Sequence, residues 1–187
     1  MPLSDLPLAR ITAAQFHAMI QAGIYTADDK IELVDGLLFK KMSIGSPHAA
    51  LVNALNFALS RRLGGQAIIA IQNPLAINEY SEPEPDVSLL KLRQDFYRAA
   101  HPGPQDVLLV VEVADTSLVS DLNAKIPLYA AADVAEAWLV NLNEGTLTVF
   151  TKPDGAVYQS SKVFKGGETV PVPGFHDMSI PLSELGL

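Results

Sequence analysis

Apolar residues recur along the chain with two periods, helical and strand-like, and short turn signals separate them. Phe16, Met19 and Ile20 repeat at helical spacing behind Thr12-Ala-Ala-Gln15. A hydroxyl followed three residues later by an amide reads as a capping box, and with Gly23 as the stop it predicts a helix over about 13–22. Ile31–Lys41 places Asp35-Gly36 between β-formers, which predicts a hairpin with strands at about 31–34 and 37–42. Ser46-Pro47-His48 opens a second helix, with the serine as cap and the proline as first helical residue; Leu51, Leu55, Ala58 and Leu59 form its stripe and Gly64-Gly65 ends it. Strands are expected at Ala67–Ile71, at Leu75–Ile77 as a continuation of the sheet after Pro74, and at Val87–Leu90.

Asp106–Val113 is a continuous valine-rich run, the pattern of a strand buried on both faces. Asp115–Ala132 reads as a loop and a helix interrupted near Pro127, and Ala135–Leu142 as a second buried strand. Thr146–Thr151, Tyr158–Phe164 and Glu168–Val172 are expected as antiparallel strands joined by Pro153-Asp-Gly155 and Lys165-Gly-Gly167. The pattern predicts one α/β domain over residues 1–187: a mixed α+β sheet flanked by helices, with a β-rich C-terminal portion.

Composition narrows the chemistry. With no cysteine, a disulfide scaffold, a cysteine-ligated metal and a cysteine nucleophile are excluded. Hydrophobic residues at 49% against 18% charged imply a packed globule and not a disordered chain. Neither a leader-like N-terminus nor a membrane-length apolar run is present, so a soluble, cytoplasmic protein with no membrane partner is expected. Net charge is −8, from 13 Lys+Arg and 21 Asp+Glu. A protein that holds nucleic acid through its overall charge is normally basic, so this balance argues against such a partner.

One constellation could carry chemistry. Asp86 stands behind Pro85 where a strand begins, Glu112 lies near the end of the buried valine run, and Lys125 sits on the helix after it. Two acids on adjacent strands can hold a divalent cation through hard oxygen ligands, and a lysine can stabilise charge growing on a phosphate. Glu112 carries most weight, because a carboxylate between Val111 and Val113 is costly unless paired, protonated or metal-bound. The bland alternatives are a turn residue for Asp86, a surface pair with Asp121 for Lys125, a solvent-facing edge residue for Glu32, and a partly exposed histidine near a cap for His48. No glycine-rich phosphate loop, G-x-S-x-G elbow or H-E-x-x-H occurs.

In this order the residues resemble the PD-(D/E)XK nuclease superfamily. The whole chain resembles a bacterial restriction endonuclease family long filed as a domain of unknown function. The matching stretches are Glu32-Leu-Val-Asp-Gly36, Ser46-Pro-His48, Glu84-Pro-Asp86, Val110-Val-Glu-Val113, Asp121-Leu-Asn-Ala-Lys125 with Tyr129, and Glu136-Ala-Trp-Leu-Val140. The resemblance implies a restriction-endonuclease-like core with the acids converging at one sheet edge. It makes Pro85-Asp86 the PD element, Glu112 the second acid, and Val113 the residue whose carbonyl helps bind metal. The superfamily lysine falls at Ala114, so Lys125 on the following helix is the matching position, and Glu32 matches the N-terminal acid of many members.

Two functions follow as expectations. One is a Mg²⁺- or Mn²⁺-dependent endonuclease acting on DNA, with Asp86, Glu112 and Val113 on the metal, Lys125 and Glu32 assisting and His48 accessory, working as a homodimer because two-fold pairing suits cleavage of two strands. The other is a non-catalytic binding or assembly module that keeps the fold, motivated by the charge of −8. A carbohydrate hydrolase using two carboxylates is a weaker third.

Overall fold

The computed structural model describes residues 8–41 and 43–187. Met42, the expected last residue of the hairpin, lies outside the described residues. Helix α1 (Ala13–Gln21) starts at the expected capping box: Gln15 N–H donates to the Thr12 hydroxyl at 3.2 Å and Thr12 N–H to the Gln15 side chain at 2.9 Å. Strands β1 (Ile31–Val34) and β2 (Leu37–Lys40) form a two-stranded ribbon, with Val34 opposite Leu37. Asp35 and Gly36 both have positive φ, 52° and 77°, as this tight turn requires. A Cβ on Gly36 would stand 2.5 Å from Arg10 Cβ. Gly36→Ala is therefore expected to cost more than about 1 kcal/mol, seen as a lower urea midpoint with unchanged slope.

Helix α2 (Ser46–Leu63) begins one residue earlier than its sequence implies. Gly45 is the cap, its carbonyl accepting from Ala49 N–H, and Ser46 is already helical and caps nothing. Gly64, in the left-handed region, ends the helix as expected. Next come β3 (Ala67–Ile71), β4 (Val87–Lys91) and β5 (Val107–Ala114). Then follow α3 (Leu118–Ser120), a π turn over Asp121–Lys125, and α4 (Ile126–Ala131). The expected interruption at Pro127 is this π turn. Pro127 has no N–H to donate, and the Ile126 N–H reaches back to the Asp121 carbonyl. The chain closes with β6 (Glu136–Asn141), β7 (Thr146–Asp154), β8 (Val157–Phe164), β9 (Thr169–Pro171) and β10 (Ser179–Pro181).

Strands β3 to β8 form a mixed sheet ordered β3-β4-β5-β6-β7-β8, antiparallel except for the parallel pair β5–β6. Alternation along β5 assigns its faces. Leu109, Val111 and Val113 pack with Leu51, Leu55 and Leu59 of α2, while Val110 and Ala114 pack with Ile126, Tyr129 and Ala130 of α4. Helices thus cover both faces of the central strand, as its unbroken apolar run required.

Two expectations are corrected. Leu75–Ile77 is no strand. The ladder stops at Gln72, which has φ +52°, and Leu75 and Ile77 bond instead to the Pro83 and Ser81 carbonyls, burying their side chains from a loop. The segment after Lys165-Gly-Gly167 does not pair with β8. It forms a separate ribbon with β10, a strand too short to leave a period, and Val170 and Ile180 join the α2 side of the core. Among the described residues no helix is long and apolar enough to cross a membrane.

Candidate active site

Several elements deliver the polar groups to one point. The antiparallel register, Val87 opposite Val111, sets Asp86 just ahead of β4 beside the end of β5. There its Oδ2 accepts the Val113 N–H at 2.9 Å. From the first turn of α2, His48 Nε2 lies 3.0 Å from the same oxygen, and Gln72 Nε2 donates to Oδ1 at 3.1 Å. The β1–β2 ribbon is pinned over this point by a bridge between Leu33 and Glu82, and Glu84 N–H donates to Glu32 Oε2 at 3.0 Å. The prolines at 83 and 85 keep that connecting segment extended.

Glu112 points to the α4 face of β5. Its Oε1 accepts from the Tyr129 hydroxyl at 2.6 Å, and Lys125 Nζ stands 3.3 Å from its Oε2. Lys125 Nζ also lies 2.9 Å from Glu32 Oε1, so one ammonium joins two acids from opposite ends of the sequence. Glu32, Asp86, Glu112 and Lys125 are all at most 8% exposed. Together with His48 and Val113 they line a cavity of about 100 Å³.

The geometry overturns the bland alternatives for Lys125 and Glu32. Lys125 forms its ion pairs with Glu32 and Glu112, and Glu32 is buried, not solvent-facing. His48 is partly exposed as anticipated, yet it also bonds Asp86. Three further contributors had no site role in the sequence reading. Asp121 is buried on the cavity wall, accepting from the Ser117 hydroxyl at 2.6 Å; it was visible as the first residue of the Asp121-Leu-Asn-Ala-Lys125 stretch and as a surface partner for Lys125, but not as a wall of the site. Gln72 left no signal, because a left-handed residue at a strand end looks like any loop glutamine. Tyr129 was visible as a motif position but not as the partner of Glu112.

The electrostatics separate the two acids. Burial pushes the Asp86 carboxyl up, but the His48 hydrogen bond and charge, with the Val113 N–H and the Gln72 amide, outweigh it and hold the group below the usual carboxylate range. His48 is raised in return, chiefly by its hydrogen bond to Asp86. Burial lifts Glu112 to about 8, with Lys125 opposing and Asp86, Asp121 and Glu32 adding to the rise. Burial pulls the Lys125 ammonium down, but Glu112 and Glu32 outweigh it and hold the group charged. Burial also raises the Tyr129 phenol, helped by Glu112. Tyr129→Phe leaves a buried carboxyl oxygen without its donor, an expected loss of about 1–3 kcal/mol in denaturant unfolding.

Among the described residues no three His, Cys, Asp or Glu side chains are already grouped as metal ligands. The donor chemistry nevertheless fits a hard dication. Glu32, Glu84, Asp86, Glu112, Asp115 and Asp121 line one cavity against Lys41, His48 and Lys125, and that surplus of negative charge helps raise Glu112.

The mixed sheet flanked by helices agrees with the fold that the resemblance implied. The chain superposes on a crystal structure from Anabaena variabilis titled as a putative nuclease belonging to DUF820, with a TM-score of 0.72 at 17% identity, covering 94% of this chain and 97% of that one. Residues 13–183 match the family model Uma2, described as "Putative restriction endonuclease", and the chain belongs to that family. No curated protein matches.

Proposed function

We propose that this protein is a Mg²⁺- or Mn²⁺-dependent endonuclease hydrolysing DNA phosphodiester bonds at the acid-lined cavity. The observation that carries the reading is a protonated lysine buried between Glu32 and Glu112 beside an ionised Asp86. Such a cluster is expensive to bury for structure alone. Asp86, Glu112 and the Val113 carbonyl would hold the metal, which supplies an acidified water and offsets charge on the phosphate. In the hydrolysis, water oxygen bonds to phosphorus, one ester P–O bond breaks, and the departing oxygen gains a proton. Lys125 stays charged, so its part is to donate to the phosphoryl oxygens and not to abstract a proton. Glu32 orients that ammonium, and His48 with Gln72 fixes the Asp86 carboxylate. Cutting both strands of a duplex calls for two such sites, which a two-fold homodimer provides.

The net charge of −8 favours a second reading, a binding module without catalysis. A bound dication answers the objection locally, because it reverses the field where a phosphate must sit. Plasmid cleavage with Mg²⁺ or Mn²⁺ by the wild type, Asp86→Ala and Lys125→Ala decides between them. Loss in both variants is expected, and equal behaviour of all three proteins removes the nuclease assignment.

A further inference from the structure

A larger cavity of about 540 Å³ adjoins the acid site and shares Lys41, Ile44, Gln72 and Glu84 with it. The nuclease reading does not use it. Its walls come from α1, from the turn leading into β1, and from the open end of the β1–β2 ribbon. Lys30 and Lys41 stand side by side at that open end, tied by a Lys41 N–H to Lys30 carbonyl bond of 2.7 Å. Both line the cavity, as do His101 and His17, the latter paired with Glu82 at 2.8 Å, and the carboxylates Glu82 and Glu84 line it too. Apolar side chains line it as well. Phe16 is buried within it and Tyr25 half-buried, while Ile20 and Ile44 are 42% and 49% exposed at the rim.

Chemistry identifies the occupant. With Glu82 taken up by His17, the two lysines together with an aromatic ring and bare aliphatic carbon suit a ligand that carries both an anionic group and a flat, apolar one. Lys41 is held by Glu84 at 2.8 Å, but this pair is partly exposed, and such pairs contribute little, so a phosphate can take the ammonium over. The volume falls within the range of sites for small organic groups and is far too small for a duplex. We propose, building on the nuclease reading, that this groove seats one unpaired nucleotide of the DNA strand next to the scissile phosphate. Lys30 and Lys41 receive its phosphate, and Tyr25, Ile20 and Ile44 receive its base. Stacking on an aromatic face is tolerant of base identity, so the groove selects an unpaired nucleotide, in a single strand or turned out of a duplex at the cost of unpairing, and not sequence.

The test measures fluorescence anisotropy of a labelled twelve-residue oligodeoxythymidylate on the full chain in Ca²⁺, against a blunt duplex of equal length. Tighter binding of the single strand is expected. Lys30→Asn with Lys41→Met, and separately Tyr25→Leu, should each weaken it about tenfold or more, whereas Lys162→Met on β8, the opposite edge strand of the sheet, should not. Asparagine is used at position 30 because that residue has φ +49°, a region asparagine tolerates. Melting curves confirm that each variant folds, and Tyr25→Leu serves if the lysine pair does not. Equal affinity of wild type and groove variants overturns the inference, as do preference for the duplex, absence of binding, or tighter binding of oligouridylate. Cleavage by the same proteins separates the two claims. Cutting that is indifferent to the groove variants, with unchanged binding, ends this inference and leaves the nuclease reading standing. Groove-dependent binding by a protein that cuts nothing does the reverse.

Discussion

Lys125→Met is expected to lower folding stability by about 3–5 kcal/mol, the usual consequence of removing one partner from a buried charge cluster. Lys125 is the shared cation of Glu32, at 2.9 Å, and Glu112, at 3.3 Å, and all three are buried. The two acids differ in how they respond to its loss. Glu112 is already raised to about 8, with Tyr129 donating to one oxygen, and can remain protonated at neutral pH. Glu32 keeps only the Glu84 N–H and becomes the stranded charge. Glu32→Gln added to Lys125→Met should therefore restore most of the loss, and Glu112→Gln much less. Urea unfolding of the single and double variants at pH 7 measures this coupling. A Lys125→Met protein within about 0.5 kcal/mol of wild type would show that the ammonium is not paired as described. The result also governs the cleavage assay, since inactivity of a Lys125 variant informs about catalysis only below its melting temperature.

The chain announced its secondary structure wherever one residue type forces a conformation. Asp35-Gly36, the Thr12–Gln15 box and Gly64 each act within four residues, and each stands where its chemistry placed it. The all-apolar β5 likewise declared its central position. Signals weakened where packing decides. Leu75 and Ile77 are apolar because they fill the core, and apolarity alone does not separate a buried loop from a strand. The ribbon of β9 and β10 is held by Val170 and Ile180 against α2, a contact made across more than a hundred residues of chain. The candidate site shows the same division. Glu112 was legible because an acid inside a valine run contradicts its surroundings. Glu32, Lys125 and Asp121 were ambiguous, since ribbon and helix surfaces carry many charges. Only the tertiary arrangement turns these three inward, with the π turn before Pro127 helping to bring Asp121 and Lys125 to the same cavity.

Asp86→Asn is expected to reduce Mg²⁺- or Mn²⁺-dependent DNA cleavage by about 10³-fold or more, roughly 4 kcal/mol of transition-state stabilisation. The substitution removes one charge and nearly nothing else. Asparagine has the same shape, and its oxygen can still accept from Val113 N–H and His48, while its amide meets the Gln72 side chain, which can turn its own oxygen inward. The fold should survive with a modest loss. The direction with pH is fixed by the depressed Asp86 titration. An acid held below its ordinary value of 3.8 stabilises the folded state above that value, and this contribution fades as pH falls through the lower native one. Wild type and Asp86→Asn should therefore differ in urea midpoint at pH 7 and converge in acid. The charge matters far more to a cation than to the fold, because a neutral amide oxygen is a much weaker partner for a dication than a carboxylate. Thermal stabilisation by millimolar Mn²⁺, expected for wild type, should accordingly vanish in the variant. Full cleavage by Asp86→Asn, or an undiminished Mn²⁺ shift, would mean that the ion is held elsewhere.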